Sequence, residues 1–418
     1  MMKKTLAITA LAATALAFTA TTADAHVATP TWVTANSVST GDQDTPAIAT
    51  NRNGYVAVVW EDDRDTDNAT DNVHSEIYLR LFHNGAAVYE TKLSAGGGTG
   101  VTNWRHLLPD VGLDDKGNAV VVWQDDPDGN GYYNIPYRVV STAGTVTASG
   151  NANSSATGQQ INPRVAVDPD GAPSGAAVAF TVVWEDIQTG AQPTVKAAGY
   201  TGPTTRAWEV TASATTGQNH NPDVAVSASG DAVVVWDDDS DGNGFYQVGL
   251  VRLGRTNGAA TLSRRSANAT AAGQQQHAAV AADFNGDFAV AWESDHTGTA
   301  GVWTRSFTST GAARYADTEV APGGSAPSVG IDDQAQTVVG WTVQGADPDV
   351  WVRGFGAAGT DTGRLSAQKL SSVTTGRQEQ MTVAVSAYAE VAVAYTDDND
   401  GNTYDQVMLG TGISNNSW

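Results

Sequence analysis

The residues most able to do chemistry in this sequence are carboxylates that recur in short acidic runs. Asp237, Asp239 and Asp241 alternate and are followed by Gly242 in the run DDDSDGNGFYQ. Two close relatives, DDPDGNGYYN and DDNDGNTYDQ, keep Asp126 with Asp128 and Asp398 with Asp400. Alternate carboxylates ahead of a glycine suit a calcium loop, since the oxygens converge on the ion while glycine permits the bend. The acid that completes a helix-loop-helix calcium site is absent from all three. The same residue types also form a tight Asp-Gly-Asn hairpin turn without metal. Both readings stand on the sequence: turn alone, or turn plus calcium.

A second regularity is a set of amides. Gln43, Gln160, Asn219, Gln275 and Gln378 each follow a glycine by two positions, and His106 takes the equivalent place in one further copy. Amides both donate and accept, so a ring of them beside a channel is suited to sugar hydroxyls. Capping of backbone groups is the plainer alternative. Arg105, His106 and Tyr132 offer a different chemistry, proton removal beside a uronate carboxylate, as in a polysaccharide lyase. Glu61, Glu185 and Glu293, each directly after a tryptophan, offer the carboxylate pair of a glycosidase. Gln, Asp and Thr stand at that same place in other copies, which reads as a solvated position rather than a catalytic one.

Composition narrows the classes. A formal charge of −23 repels phosphate backbones and excludes nucleic acid as a partner. The absence of cysteine excludes disulfides, thiolate metal sites and cysteine nucleophiles. Lys3, Lys4, an apolar run from Leu6 to Ala20 and Ala23-Asp24-Ala25 have the three parts of a secretory signal peptide, so residues 1–25 are expected to be removed and the protein exported. Cleavage there would place His26 at the amino terminus, a copper-chelating arrangement for which no second histidine is identified. No later segment approaches the roughly 20 apolar residues of a membrane-spanning helix.

The elements that must carry these residues form a repeat. Trp60, Trp123, Trp184, Trp236, Trp292 and Trp341, with Tyr395 as a seventh equivalent, each end an apolar run such as VAVVW or VVVW. A shorter run, led by proline in five copies, precedes each anchor: PAIAT, PDVGL, PRVAV, PDVAV and PSVGI among them. An acidic loop, a third strand and a more polar fourth segment follow. Short β-branched runs bounded by turn residues are strands, and four of them repeating at about 50 residues describe a β-propeller blade. The fold expected is all-β, a seven-bladed propeller of four-stranded blades filling residues 26–418 as one domain. The seventh copy is one strand short, and the segment 31–40 is available to complete it, closing the ring without a cross-link.

The proline-led strand, the apolar run into tryptophan and the Asp-Gly loop resemble those of bacterial secreted seven-bladed propeller repeat proteins, over residues 31–410. The resemblance implies an extracellular location with calcium or carbohydrate binding, and it brings no catalytic residues. The combined expectation is a secreted, monomeric binding module for an extracellular glycan or protein. A polysaccharide-degrading enzyme and a structural surface protein without a small ligand are the alternatives.

Overall fold

The structure, a computed structural model, describes residues 30–64, 74–96, 103–171, 178–188, 190–360, 365–371, 376–398 and 404–413. Residues 1–25, expected to be a signal peptide, His26 and Asp400 lie outside the described residues. Within them the chain forms seven antiparallel four-stranded sheets and no helix. Blade 4 shows the plan, running Gln218–Val226, Ala232–Asp239, Gln247–Leu253 and Ala260–Ser266 from channel to periphery. The innermost strands of blades 1 to 7 are Gln43–Thr50, Arg105–Leu113, Gln159–Val167, Gln218–Val226, Gln275–Ala282, Gly324–Ile331 and Gln378–Val385.

Each second strand is sandwiched between two neighbouring blades and is therefore apolar on both faces. Val233, Val234, Val235 and Trp236 are all 0–2% exposed. The core divides into seven clusters, one at each seam between blades, and each contains the anchor aromatic of the later blade: Trp123 packs with Ala57, Val59 and Leu79 of blade 1, and Trp60 with Ala392, Ala394 and Leu409 of blade 7. The anchors are inter-blade packing, as a large side chain repeated at one place suggests. Burying an indole of about 200 Å² contributes on the order of 5 kcal/mol per seam before its ordering entropy is counted.

The ring closes as the sequence implied. Thr31–Thr34 is the outermost strand of blade 7, pairing antiparallel with Gln406–Thr411 in the register Thr31–Thr411 to Thr34–Met408. Trp32 lies over Gly410, where a Cβ would come within 2.4 Å of the indole, so glycine is required there. Asn36 extends the clasp by donating to Gln43 Oε1 (2.9 Å) and Gln406 Oε1 (2.7 Å) and accepting from Val407 N (3.0 Å). Equivalent caps recur where the outermost strands of blades 2, 3 and 4 end: Asn153 on Ile135 N, Ser213 on Val195 N and Asn268 on Val248 N, each at 2.9 Å.

One distortion repeats in all seven innermost strands. Each has a bulge in which two residues oppose one on the second strand, between Asp44 and Ala47 in blade 1 and between His220 and Asp223 in blade 4, for example. At every bulge one non-glycine residue has positive φ: Thr45, Leu108, Asn162, Asn221, His277, Ala326 and Gln380, at 46–55°. Five of them precede proline, and proline suits the bulge because it has no N–H to leave unpaired. Left-handed geometry costs an L-residue about 1–2 kcal/mol, so each must be held by its surroundings.

Candidate binding site at the channel mouth

These seven left-handed residues ring the mouth of a central cavity of about 480 Å³. The residue after each anchor tryptophan holds many of them. Glu61 accepts the N–H of Leu108 (2.8 Å), Gln124 that of Asn162 (3.2 Å), Glu185 that of Asn221 (2.7 Å) and Glu293 that of Ala326 (2.7 Å). Each acceptor belongs to the blade before the residue it holds. Asp237 lies near the N–H of His277, but its side chain takes a hydrogen bond from Asn221 Nδ2 (2.8 Å) instead. At the closure seam Gln380 Oε1 takes the N–H of Thr45 at 2.7 Å.

The position after tryptophan is therefore not solvated, contrary to expectation: Glu61 is 7% exposed, Gln124 7%, Glu185 2% and Asp237 3%. Glu and Gln interchange there because both offer an acceptor, and the acceptor is what the neighbouring bulge needs.

Between blades 3 and 6 these contacts join into an arc. Glu185 accepts from Asn162 Nδ2 (2.6 Å) and pairs with His220 Nδ1 (3.0 Å). Asn221 Nδ2 donates to Asp237 (2.8 Å), and His277 Nδ1 pairs with Glu293 (3.1 Å). Burial acts to raise Glu185 and Glu293, but the hydrogen bonds from His220, Asn221 and Asn162 on the one and His277 and Ala326 on the other hold both below the usual carboxylate range. The partner histidines are raised, chiefly by those same hydrogen bonds. Asp237 is pushed up to about 6 by burial.

Deeper in the channel Asp110 and Asp223 accept the N–H groups of Val165 and Val280 in the following blades, both at 2.7 Å. Burial raises them to about 6 and about 7, against the lowering pull of Arg164. Arg164 stands between them on blade 3 and donates to the carbonyl of Pro163 at 2.8 Å. The cavity thus mixes polar groups with apolar wall residues such as Ile48, Leu108 and Val224: amide, imidazole and hydroxyl groups at the mouth, Asp110, Arg164 and Asp223 below.

The amides singled out in the sequence lie two residues away from this ring and face into the protein. Gln43, Gln160, Asn219 and Gln275 are 0% exposed, Gln378 is 1% and His106 is 2%. Gln43 donates to Thr40 O and Gly41 O (both 3.0 Å), Gln160 to Thr157 O (2.9 Å), Gln275 to Ala272 O (2.7 Å) and Gln378 to Asp397 (3.0 Å). Asn219 donates to Pro193 O at 3.3 Å. Gln43, Gln160, Asn219 and Gln275 pin the loop leading into their blade's first strand, and buried in this way the amides do not face a ligand. Thr45, Asn162, Asn221, His277 and Gln380 are the residues the channel presents. For Thr45, Asn162 and Asn221 the signal in the sequence is their place just before the strand-opening proline.

The lyase set does not assemble. His106 is enclosed between Asp125 and the carbonyl of Ala95 and packs on Trp104, while Arg105 is exposed outside the channel lining and Tyr132 is 51% exposed on a rim loop.

The acidic loops behave as turns. Asp239 accepts from Gly244 N (3.2 Å), and Asp241 from Asn243 N (3.2 Å) and Nδ2 (2.8 Å). In blade 2 Asp126 accepts from Asn130 N (3.0 Å) and Gly131 N (2.8 Å), and Asp128 from Asn130 Nδ2 (2.8 Å). Asp237 is buried and accepts from Asn221 Nδ2 (2.8 Å) instead, and Asp398 of blade 7 is half-buried with its N–H on Arg377 O at 3.0 Å. Among the described residues no three His, Asp or Glu stand together as a metal-ligand group.

No protein-family model and no curated protein matches the sequence. Solved structures do. A Dyadobacter fermentans protein of unknown function is 13% identical with a TM-score of 0.51, over 91% of this chain and 97% of that one. The GH93 α-L-arabinofuranosidase of Fusarium graminearum, in complex with arabinobiose, is 11% identical with a TM-score of 0.51, over 74% of this chain and 94% of that one. At these identities the likeness establishes the propeller fold.

Proposed function

We propose that the protein is a secreted propeller that recognises carbohydrate at the channel mouth. The observation that carries this reading is the set of polar side chains presented there, Thr45, Asn162, Asn221, His277 and Gln380, each mounted on a left-handed residue. Pre-organised groups that both donate and accept suit sugar hydroxyls, and rigid mounting lowers the ordering cost of binding. A cavity of about 480 Å³ has room for one or a few sugar residues. The Fusarium graminearum protein of like fold, an arabinofuranosidase in complex with arabinobiose, is in keeping with this ligand class.

Binding is favoured over hydrolysis by the state of the carboxylates. A glycosidase turns two carboxyl groups toward the scissile bond. Here Glu61, Glu185 and Glu293 hold backbone N–H groups of the next blade. Affinity electrophoresis through gels containing soluble arabinan, xylan, hydroxyethylcellulose or polygalacturonate tests the reading. Retardation by a neutral polysaccharide that Asn162→Ala and Asn221→Ala weaken supports it. Release of reducing sugar, or retardation indifferent to both substitutions, contradicts it.

A further inference from the structure

Two aromatic side chains stand exposed at equivalent places on the rim. Tyr132 in blade 2 and Phe245 in blade 4 each follow an Asp-Gly-Asn-Gly turn, nine residues after the anchor tryptophan, and each is 51% exposed. What singles them out is recurrence: the same residue class, after the same turn sequence and with the same exposure, on one face of the ring.

Both are held by the same device. The N–H of Tyr132 donates to Asn130 Oδ1 and that of Phe245 to Asn243 Oδ1, each at 2.7 Å. A glutamine of the following blade then clamps each loop. Gln159 donates to Gly131 O (2.6 Å) and accepts from Tyr133 N (3.2 Å), while Gln274 donates to Gly244 O (2.9 Å) and accepts from Tyr246 N (3.0 Å). Each clamp stands three residues before a residue of the mouth, Asn162 and His277 respectively. The aromatics are thus on the same face as the cavity and fixed to its wall.

Blade 3, which lies between them, carries no such aromatic. Its rim presents amides: Gln192, exposed, accepts from Gln218 Nε2 at 2.7 Å, and Gln188, half-buried, donates to Asp186 at 2.6 Å.

We infer that Tyr132 and Phe245 are stacking platforms for a neutral polysaccharide chain laid across the rim of blade 3, whose amides take its hydroxyls. Sugar rings offer C–H faces to aromatic rings and hydroxyl edges to amides. Two rings flanking a polar strip match an extended chain better than a single sugar. The charge of −23 argues for a neutral chain over a polyanion. This inference rests on the carbohydrate reading of the mouth and extends it from the end of a chain to its length.

The test uses the same gels with soluble arabinan, xylan and hydroxyethylcellulose as probes. Tyr132→Ala and Phe245→Ala are each expected to weaken retardation by the binding polysaccharide about tenfold, with melting temperature unchanged because both side chains are exposed. Tyr132→Phe and Phe245→Tyr keep the ring and should keep the retardation. If the double alanine variant is retarded like the parent while Asn221→Ala is not, the platforms are overturned and the mouth reading survives. If none of the three polysaccharides retards the parent protein, both readings fall.

Discussion

Replacing Glu61 separates the role of its acceptor from the role of its charge. Its carboxylate accepts from Leu108 N at 2.8 Å and from Thr45 Oγ1 at 2.5 Å, and burial raises its pKa. Gln124, at the same place in the next blade, holds Asn162 N at 3.2 Å with a neutral amide. Glu61→Gln therefore keeps the acceptor and is expected to cost less than about 1 kcal/mol. Glu61→Leu removes it, stranding the N–H of a strained leucine. An unsatisfied buried donor costs about 1–3 kcal/mol, and the lost Thr45 contact about 1 more, giving roughly 3 kcal/mol. With an unfolding entropy of about 0.8 kcal/mol/K for a chain of this length, that lowers the melting temperature by about 4 °C. Scanning calorimetry reads both variants. Equal losses from Glu61→Gln and Glu61→Leu would refute the view that the position serves as a neutral-tolerant acceptor for the next blade.

Other consequences follow from the same contacts. Asp44, Asp110, Asp223 and Asp237 have folded pKa values raised to about 6–7, mainly by burial, and His220 and His277 are raised by their glutamate partners. The folded state then binds more protons than the unfolded chain, so stability should fall as pH rises from about 5 to about 8; a melting temperature that climbs over that range contradicts the assignment. Ala326→Gly relieves left-handed strain at φ 49° and should stabilise by about 0.5 kcal/mol after the added chain entropy, whereas a loss in urea unfolding would show the strain to be absent. Gly410→Val drives a side chain into Trp32 and should release the closing strand, detected as proteolysis near Thr31 and a lower melting temperature; unaltered protection would refute the clasp. Calcium at the Asp-Gly-Asn loops remains a proposal that calorimetric titration decides. Stoichiometric heat with a raised melting temperature supports it, and no heat at millimolar calcium leaves the loops as turns.

The architecture was legible because its signals are both strong and repeated. Seven aromatic anchors after apolar runs require seven buried second strands, and a missing strand at one end of the repeat matched a spare one at the other. The site was less legible because the bulge inverts the plain alternation of a strand. Reading two-residue periodicity through Gln160-Ile161-Asn162 places Gln160 and Asn162 on one face, yet Gln160 is buried under the loop while Asn162 lines the channel. Glu185 was misread for a related reason. A residue that varies among Glu, Gln, Asp and Thr looks solvated in sequence, and only the neighbouring blade's N–H shows what Glu61, Gln124, Glu185 and Glu293 share. The Asn36, Asn153 and Asn268 caps stand in the sequence as Ala-Asn pairs after three of the outermost strands, but they lie outside the apolar pattern that reveals the blades.

The account is tested most directly by a crystal structure of the protein soaked with an oligosaccharide of the polysaccharide that retards it. The expected result is a sugar residue in the mouth, with hydroxyls within hydrogen-bonding distance of Asn162 and Asn221 side chains. A sugar bound elsewhere, with the mouth holding only water, would contradict the assignment of the channel mouth as the recognition site.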